Sequence, residues 1–162
     1  MKVLVALDES AYSQIVVDTM AERPWHGDDQ FLVLSVVAVP TAEYWQDFGL
    51  TVDPESKEKL TTRARSLVET SVARLTKDIH PKSKIESRIE EGHAGDQILE
   101  VARQWQADLI IMGSQGRTGL KKLFLGSVAQ EVLREAPCSV EIVKSPMSVE
   151  KQRVKQTLVQ AL

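Results

Sequence analysis

The run Leu109-Ile110-Ile111-Met112 is continuously apolar and ends at Gly113, the first glycine of a segment that closes at Gly126-Ser127. A short, unbroken apolar run is typical of a strand that is buried on both faces. Two more largely apolar runs, Val3 to Leu7 and Phe31 to Val39 (with Ser35 inside), are rich in β-branched residues. Together the three runs predict a parallel sheet that is covered by helices on both sides.

Two further runs are more polar than these central strands. They are Lys84 to Ile89 and Ser139 to Val143, and the second carries Glu141 in its middle. Edge strands tolerate polar residues because one side meets water or a partner. We therefore place both runs at the edges of the sheet, which leaves Val3–Leu7 and Leu109–Met112 side by side in the middle.

Helical patterns fill the intervals between the strands. The four predicted helices are Ser10 to Arg23, Asp53 to about Lys77, a helix marked by Ile98 to Trp105, and Ser127 to Glu135. The second starts with an Asp cap followed by proline and an acidic residue, and prolines follow the first and the last. Strands and helices alternate along the chain, which predicts a three-layer, doubly wound α/β fold. Ligands of such folds bind beyond the carboxyl ends of the central strands.

Composition excludes several classes of function. The chain has 162 residues, a size that suits one domain, and a formal charge of −3, which gives no general attraction to nucleic acid. The sequence has no apolar stretch of membrane-spanning length and does not begin like a signal peptide, so we expect a cytoplasmic protein with no membrane partner. The single cysteine, Cys138, excludes an internal disulfide, and the spacing of the three histidines predicts no protein-only metal site.

The glycine-rich segment after Met112 admits two interpretations. Glycines let backbone N–H groups approach a ligand, the helix that opens at Gly126-Ser127 favours phosphate, and Arg117, Lys121 and Lys122 add positive charge. Alternatively, Ser127 and Gln130 form a capping box and the glycines serve only turn geometry. The segment is neither a Walker A loop nor a Gly-x-Gly-x-x-Gly motif. The residue types alone leave the choice open.

A family resemblance favours the first interpretation. The spacing Gly-x2-Gly-x9-Gly-Ser from Gly113 to Ser127 resembles the ATP-binding signature of the universal stress protein family. Val5-Ala6-Leu7-Asp8-Glu9-Ser10 resembles the opening of that family, and Ala136-Pro137-Cys138 its last turn. The resemblance covers about Lys2 to Lys144. It implies a universal stress protein domain over residues 1–144 and a tail over 145–162, where Val154, Leu158 and Leu162 are spaced as in a short amphipathic helix.

The resemblance implies a Rossmann-like, five-stranded parallel sheet in the order 3-2-1-4-5 that binds ATP or AMP. Asp8 would lie near the ribose and phosphates, Val36 would offer backbone groups to the adenine, and Met112 and Gly113 would line the ribose. Five residues would hold the phosphates: Gly116, Arg117, Gly126, Ser127 and Val128. Magnesium or manganese would come with the phosphates. We also expect Gly113→Ala and Gly126→Ala to abolish binding, because each methyl group would occupy the space of the ligand.

Many relatives pair the last strand antiparallel with its copy, so the resemblance implies a homodimer through Val140 to Val143, where Glu141 introduces a charge. Three functions then compete. The first is a nucleotide-responsive binding module of the stress response that acts on an unknown protein partner. The second is a slow ATPase or self-phosphorylating protein, and the third is an interaction dimer with an unused nucleotide site. The stretch Ala38 to Val52 is either a surface loop or a flap over the ligand.

Overall fold

The computed structural model describes residues 1–38, 54–116 and 125–144. In these residues five strands and four helices follow one another in strict alternation. They are β1 (Lys2–Leu7), α1 (Ala11–Ala21), β2 (Gln30–Val37), α2 (Pro54–Asp78), β3 (Lys84–Glu91), α3 (Ala94–Trp105), β4 (Leu109–Gly113), α4 (Ser127–Glu135) and β5 (Ser139–Val143). The predicted order of elements is confirmed.

The five strands form one sheet in the order β3-β2-β1-β4-β5, and every neighbouring pair is parallel. The two polar strands are at the edges, as predicted from their composition. β1 lies between β2 and β4, and Ala6 is in register with Met112. The ends of β1 and β4 are therefore neighbours at the point where the direction of winding reverses.

The continuous apolar runs arise because side chains of one strand alternate between two cores. Val3, Val5 and Leu7 of β1 pack into a core with residues of α1 and α2, whereas Leu4 and Ala6 pack with residues of α3 and α4. The first core includes Val16, Met20, Phe31, Val68, Leu75 and Ile111. The second includes Leu32, Ile98, Leu99, Ala102, Ile110 and Val132. Helices on both faces of the sheet confirm the three-layer architecture.

Some boundaries differ from the prediction. β3 runs to Glu91, two residues beyond the expected end, because its register with β2 continues through Val37. α3 begins at Ala94, ahead of the apolar pattern that starts at Ile98. Ser10, given above as the first residue of the first helix, is the N-cap of α1, and its side chain accepts a hydrogen bond from Tyr12 N at 3.3 Å. The predicted tail, 145–162, lies outside the described residues, as does all of the stretch 38–52 except Ala38.

Glu141 does not extend freely from the edge strand. Arg23, just after α1, donates two hydrogen bonds to its carboxylate, at 2.8 and 2.5 Å. Both side chains are about one-third exposed, at 32% and 33%. The hydrogen bonds from Arg23 hold the pKa of the Glu141 carboxyl below its usual value, against the opposing effect of partial burial. The charge in β5 is therefore neutralised within the chain.

In the part of the chain that the structure describes, no helix combines the length and hydropathy that a membrane-spanning segment requires.

Candidate functional site

A cavity of about 590 Å³ opens at the carboxyl ends of the central strands. Its size falls within the range of small-molecule sites, roughly 300–1,000 Å³. Eight of the residues predicted from the sequence line it: Asp8, Val36, Met112, Gly113, Gly116, Gly126, Ser127 and Val128. The ninth, Arg117, lies outside the described residues, as do Lys121 and Lys122. The fold thus brings together residues that are up to 120 positions apart, from Asp8 to Val128.

Asp8 follows β1 and is held by the start of α1. Its Oδ1 accepts hydrogen bonds from the Ser10 hydroxyl at 2.5 Å, the Ser10 amide at 3.1 Å and the Ser13 hydroxyl at 3.2 Å. The backbone N–H of Asp8 donates to Ser13 Oγ at 2.8 Å. These bonds fix the carboxylate, and its Oδ2 lies close to Gly116, which also lines the cavity.

Helix α4 begins at the cavity, but it does not form the alternative capping box. Gly126 is the N-cap, and no side chain caps the helix. The side-chain amide of Gln130 instead donates to Leu125 O at 2.6 Å. Ser127 is therefore the first helical residue, and it lines the cavity.

The first turn of α4 supplies backbone donors. Gln130 N donates to Gly126 O at 2.9 Å, so the amides of Ser127, Val128 and Ala129 come before the first intrahelical bond. Such amides, together with the helix dipole, favour an anion. The amide of Gly126 is used otherwise, because it donates to Ser114 O at 2.8 Å. The backbone donors at this end of the cavity are thus those of the helix start and not Gly126 N–H.

The space around the two glycines predicted to be essential differs between them. A Cβ on Gly113 would lie 2.7 Å from Tyr12 Cβ, so it would point toward α1 and not into the ligand space. A Cβ on Gly126 would lie 3.4 Å from Gln115 Cα and 3.5 Å from Ser114 O. Gly113 is therefore needed for close packing of α1 on β4, and the expected reason, a methyl group in the space of the ligand, is wrong for this glycine. At Gly126 a methyl group would make only ordinary contacts with the chain, so the expected effect on binding stays a prediction. Gly116 is different, because a Cβ there would lie 3.0 Å from Asp8 Oδ2.

Sequence reasoning missed part of the cavity wall. Ser13 lines it and is 4% exposed. Gly92, His93 and Ala94, which join β3 to α3, line it from the opposite side. The signal for the second group is topological, since every loop after a parallel strand reaches the same edge of the sheet. The signal for Ser13 is its place in the first turn of α1, directly after the strand that ends at Asp8.

A doubly wound sheet with a cavity at its switch point defines a class of ligand-binding α/β domains. Comparison with known proteins gives the family: the universal stress protein family model matches residues 1–144, and this chain belongs to that family. A universal stress protein of Methanocaldococcus jannaschii is 34% identical over 110 residues, which make up 68% of this chain and 58% of that protein. The chain thus matches somewhat more than half the length of that relative.

Solved structures share the fold. That of another M. jannaschii universal stress protein has a TM-score of 0.74 and 26% identity, and the match covers 90% of this chain and 96% of that one. A family protein of Arabidopsis thaliana, with AMP bound, has a TM-score of 0.63 and 19% identity, covering 90% and 92% of the two chains. The universal stress protein of Archaeoglobus fulgidus in complex with dAMP has a TM-score of 0.56 and 22% identity, covering 89% and 98%. At these lower identities the likeness shows a common fold.

Proposed function

We propose that this chain binds an adenine nucleotide, ATP or AMP, in the cavity at the ends of β1 and β4. The observation that carries the proposal is the convergence of Asp8, Gly116 and the start of α4 on one cavity. A carboxylate oxygen can accept hydrogen bonds from ribose hydroxyls, and the amides of a helix start can donate to phosphate. The AMP and dAMP found in two proteins of the same fold agree with this assignment.

We assign the parts of the cavity to parts of the nucleotide. Val36, near the end of β2, lines the cavity and would face the adenine. Met112 and Gly113 of β4 would line the ribose. Gly116, Gly126, Ser127 and Val128 would surround the phosphates, and Arg117, outside the described residues, would contribute charge there. When ATP is bound, magnesium or manganese would accompany its phosphates. Asp8 is the residue that fits such an ion, because Oδ1 is held by serines while Oδ2 faces the cavity.

We propose binding and not turnover as the primary function. Among the described residues that line the cavity, Asp8 is the one carboxylate, and Ser10 and Ser13 already use one of its oxygens. Hydrolysis would require a group that orients water in line with the leaving phosphate. Nucleotide binding would then change the conformation of Val140 to Val143, where we expect a second chain to pair, or of residues 38–52. A protein partner in the stress response would bind one of these conformations in preference to the other.

The test is titration calorimetry of nucleotide-free protein with AMP and with ATP. We expect saturable binding at one site per chain, and weaker binding by Asp8→Asn. The matched control is Asp18→Asn, which replaces a carboxylate of α1 that contacts Gln14 and Arg74. This variant should bind the nucleotides as the wild type does. No binding of either nucleotide would overturn the proposal. Phosphate release from ATP above that of a Ser127→Ala variant would favour the ATPase instead.

A further inference from the structure

A second group of polar side chains lies beside the cavity, where the first turn of α3 meets the second turn of α4. Asp96 Oδ2 is 3.3 Å from His93 Nδ1, and Glu131 Oε1 is 3.6 Å from the same nitrogen. One imidazole nitrogen and two carboxylate oxygens all lie within 4.8 Å of one another. Across residues 1–38, 54–116 and 125–144, no other group of three such side chains comes together in this way.

The position of Glu131 depends on Gly95. A Cβ on Gly95 would overlap the Glu131 carboxylate, so a side chain at that position would exclude Glu131 from the cluster. The side chain of Glu131 is also the least exposed of the three, at 22%. His93 and Asp96 alone would be an ordinary ion pair at the start of a helix. Glu131, the third member, belongs to a different helix, and its carboxylate occupies the space that Gly95 leaves beside His93. This convergence of three side chains is what distinguishes the cluster from such a pair.

The ligand atoms match the needs of a small divalent ion. Metal–ligand bonds to histidine nitrogen and carboxylate oxygen are about 2.0–2.2 Å long, which places two ligand atoms of one ion roughly 3–3.6 Å apart. The two distances from His93 Nδ1 fall at this separation. A mixed set of one imidazole and two carboxylates suits first-row transition metals better than magnesium or calcium, which prefer oxygen alone.

We propose that His93, Asp96 and Glu131 bind a divalent transition-metal ion of the zinc class, with the remaining positions filled by water. This site goes beyond the proposed nucleotide function, since its ligands are side chains of the protein and not phosphates. It also replaces the expectation that the chain has no protein-only metal site. His93 belongs both to the cluster and to the cavity wall, so the ion lies at the rim of the cavity.

The chain contains its own matched control. His26 and Asp29 have the same spacing as His93 and Asp96, and His26 Nδ1 is 3.9 Å from Asp29 Oδ2. No third ligand from the described residues completes that pair. His26→Ala therefore removes an exposed histidine with a carboxylate neighbour and leaves the proposed site intact.

The experiment is calorimetric titration of nucleotide-free protein with ZnCl2 at neutral pH, which keeps the result independent of nucleotide binding. We expect one Zn²⁺ per wild-type chain, a higher melting temperature with the ion, and unchanged affinity in His26→Ala. His93→Ala and Glu131→Gln should each lose at least the roughly tenfold affinity that changes around metal ligands usually cost. The two variants replace partly exposed side chains, and their circular dichroism should equal that of the wild type.

Two results would overturn the proposal. One is the absence of saturable Zn²⁺ binding to the wild type. The other is binding that His93→Ala and Glu131→Gln leave unchanged, since the ion would then lie elsewhere on the chain. Either result can occur while AMP still binds, so failure of the metal site and failure of the nucleotide site are distinguishable.

Discussion

Asp8 and Gly116 are neighbours in the lining of the cavity, so close that a methyl group on Gly116 would lie 3.0 Å from Asp8 Oδ2. Asp8 comes from the end of β1 and Gly116 from the loop after β4, the two strands between which the sheet reverses its winding. The gap between the carboxylate and the glycine is therefore a direct product of topology. Both residues line the cavity in which we place the nucleotide.

Gly116→Ala is expected to weaken AMP binding without destabilising the protein. The added methyl group would enter the gap beside Asp8, where it meets a side-chain oxygen and not packed backbone. We expect about a tenfold loss of affinity, which corresponds to about 1.4 kcal/mol. Calorimetry gives the affinity and a urea titration gives the stability. Wild-type affinity in a folded variant would show that the nucleotide does not pass this gap.

Gly113→Ala, in contrast, is expected to destabilise the protein without directly weakening AMP binding. Its methyl group would lie 2.7 Å from Tyr12 Cβ in α1, a contact that the two elements relieve only by moving apart. Overpacking of this kind costs about 1–3 kcal/mol. The free energy of unfolding, measured in urea, should fall by that amount. A midpoint equal to that of the wild type would mean that α1 packs on β4 less tightly than described.

Ser13→Ala is expected to weaken AMP binding through Asp8. The hydroxyl of Ser13 donates to Asp8 Oδ1 and accepts from Asp8 N, so its loss leaves a backbone donor unpaired and the carboxylate less constrained. An unpaired buried donor costs about 1–3 kcal/mol of stability. The control is Ser71→Ala, which removes another buried serine, on α2, outside the cavity. Equal AMP affinities in the two variants would contradict this role of Ser13.

The Arg23–Glu141 pair predicts a specific dependence of stability on pH. Because the pKa of Glu141 is lower in the folded chain than its usual value of 4.5, the pair stabilises the protein above that pH. The contribution disappears as the pH falls through the lowered folded pKa. Glu141→Gln should cost about 1 kcal/mol at neutral pH and progressively less in acid, as urea titrations at several pH values would show. A difference between the two proteins that stayed constant down to low pH would contradict this account.

The sequence predicts the sheet well for a physical reason. The runs 3–7, 31–34 and 109–112 are apolar at successive positions because each strand contacts two cores, a requirement that is visible one residue at a time. β3 and β5 carry more polar residues because an edge strand meets water or a partner on one side, and this is how the sequence indicates their positions. The sequence places Asp8 and Ser127 at the cavity because they follow or begin an element whose end faces it.

Contacts between distant elements are not visible in this way. Glu141 meets Arg23 across 118 positions, and Glu131 reaches His93 only because Gly95 leaves space for it. The direction of a Cβ on Gly113 depends on the pleat of β4, so the sequence could not show that it points to Tyr12. Each of these relationships is set by packing and not by a local pattern.

The most direct test of the account is an NMR titration of protein labelled with ¹⁵N-glycine, using AMP. The chain has eight glycines, so few amide signals need assignment. The amide signals of Gly113 and Gly116, which line the cavity, should shift in a saturable way. The signal of Gly27, which precedes β2 at the amino ends of the strands and so lies away from the cavity, should stay in place. If saturating AMP left Gly113 and Gly116 unmoved, the assignment of a nucleotide to this cavity would be wrong.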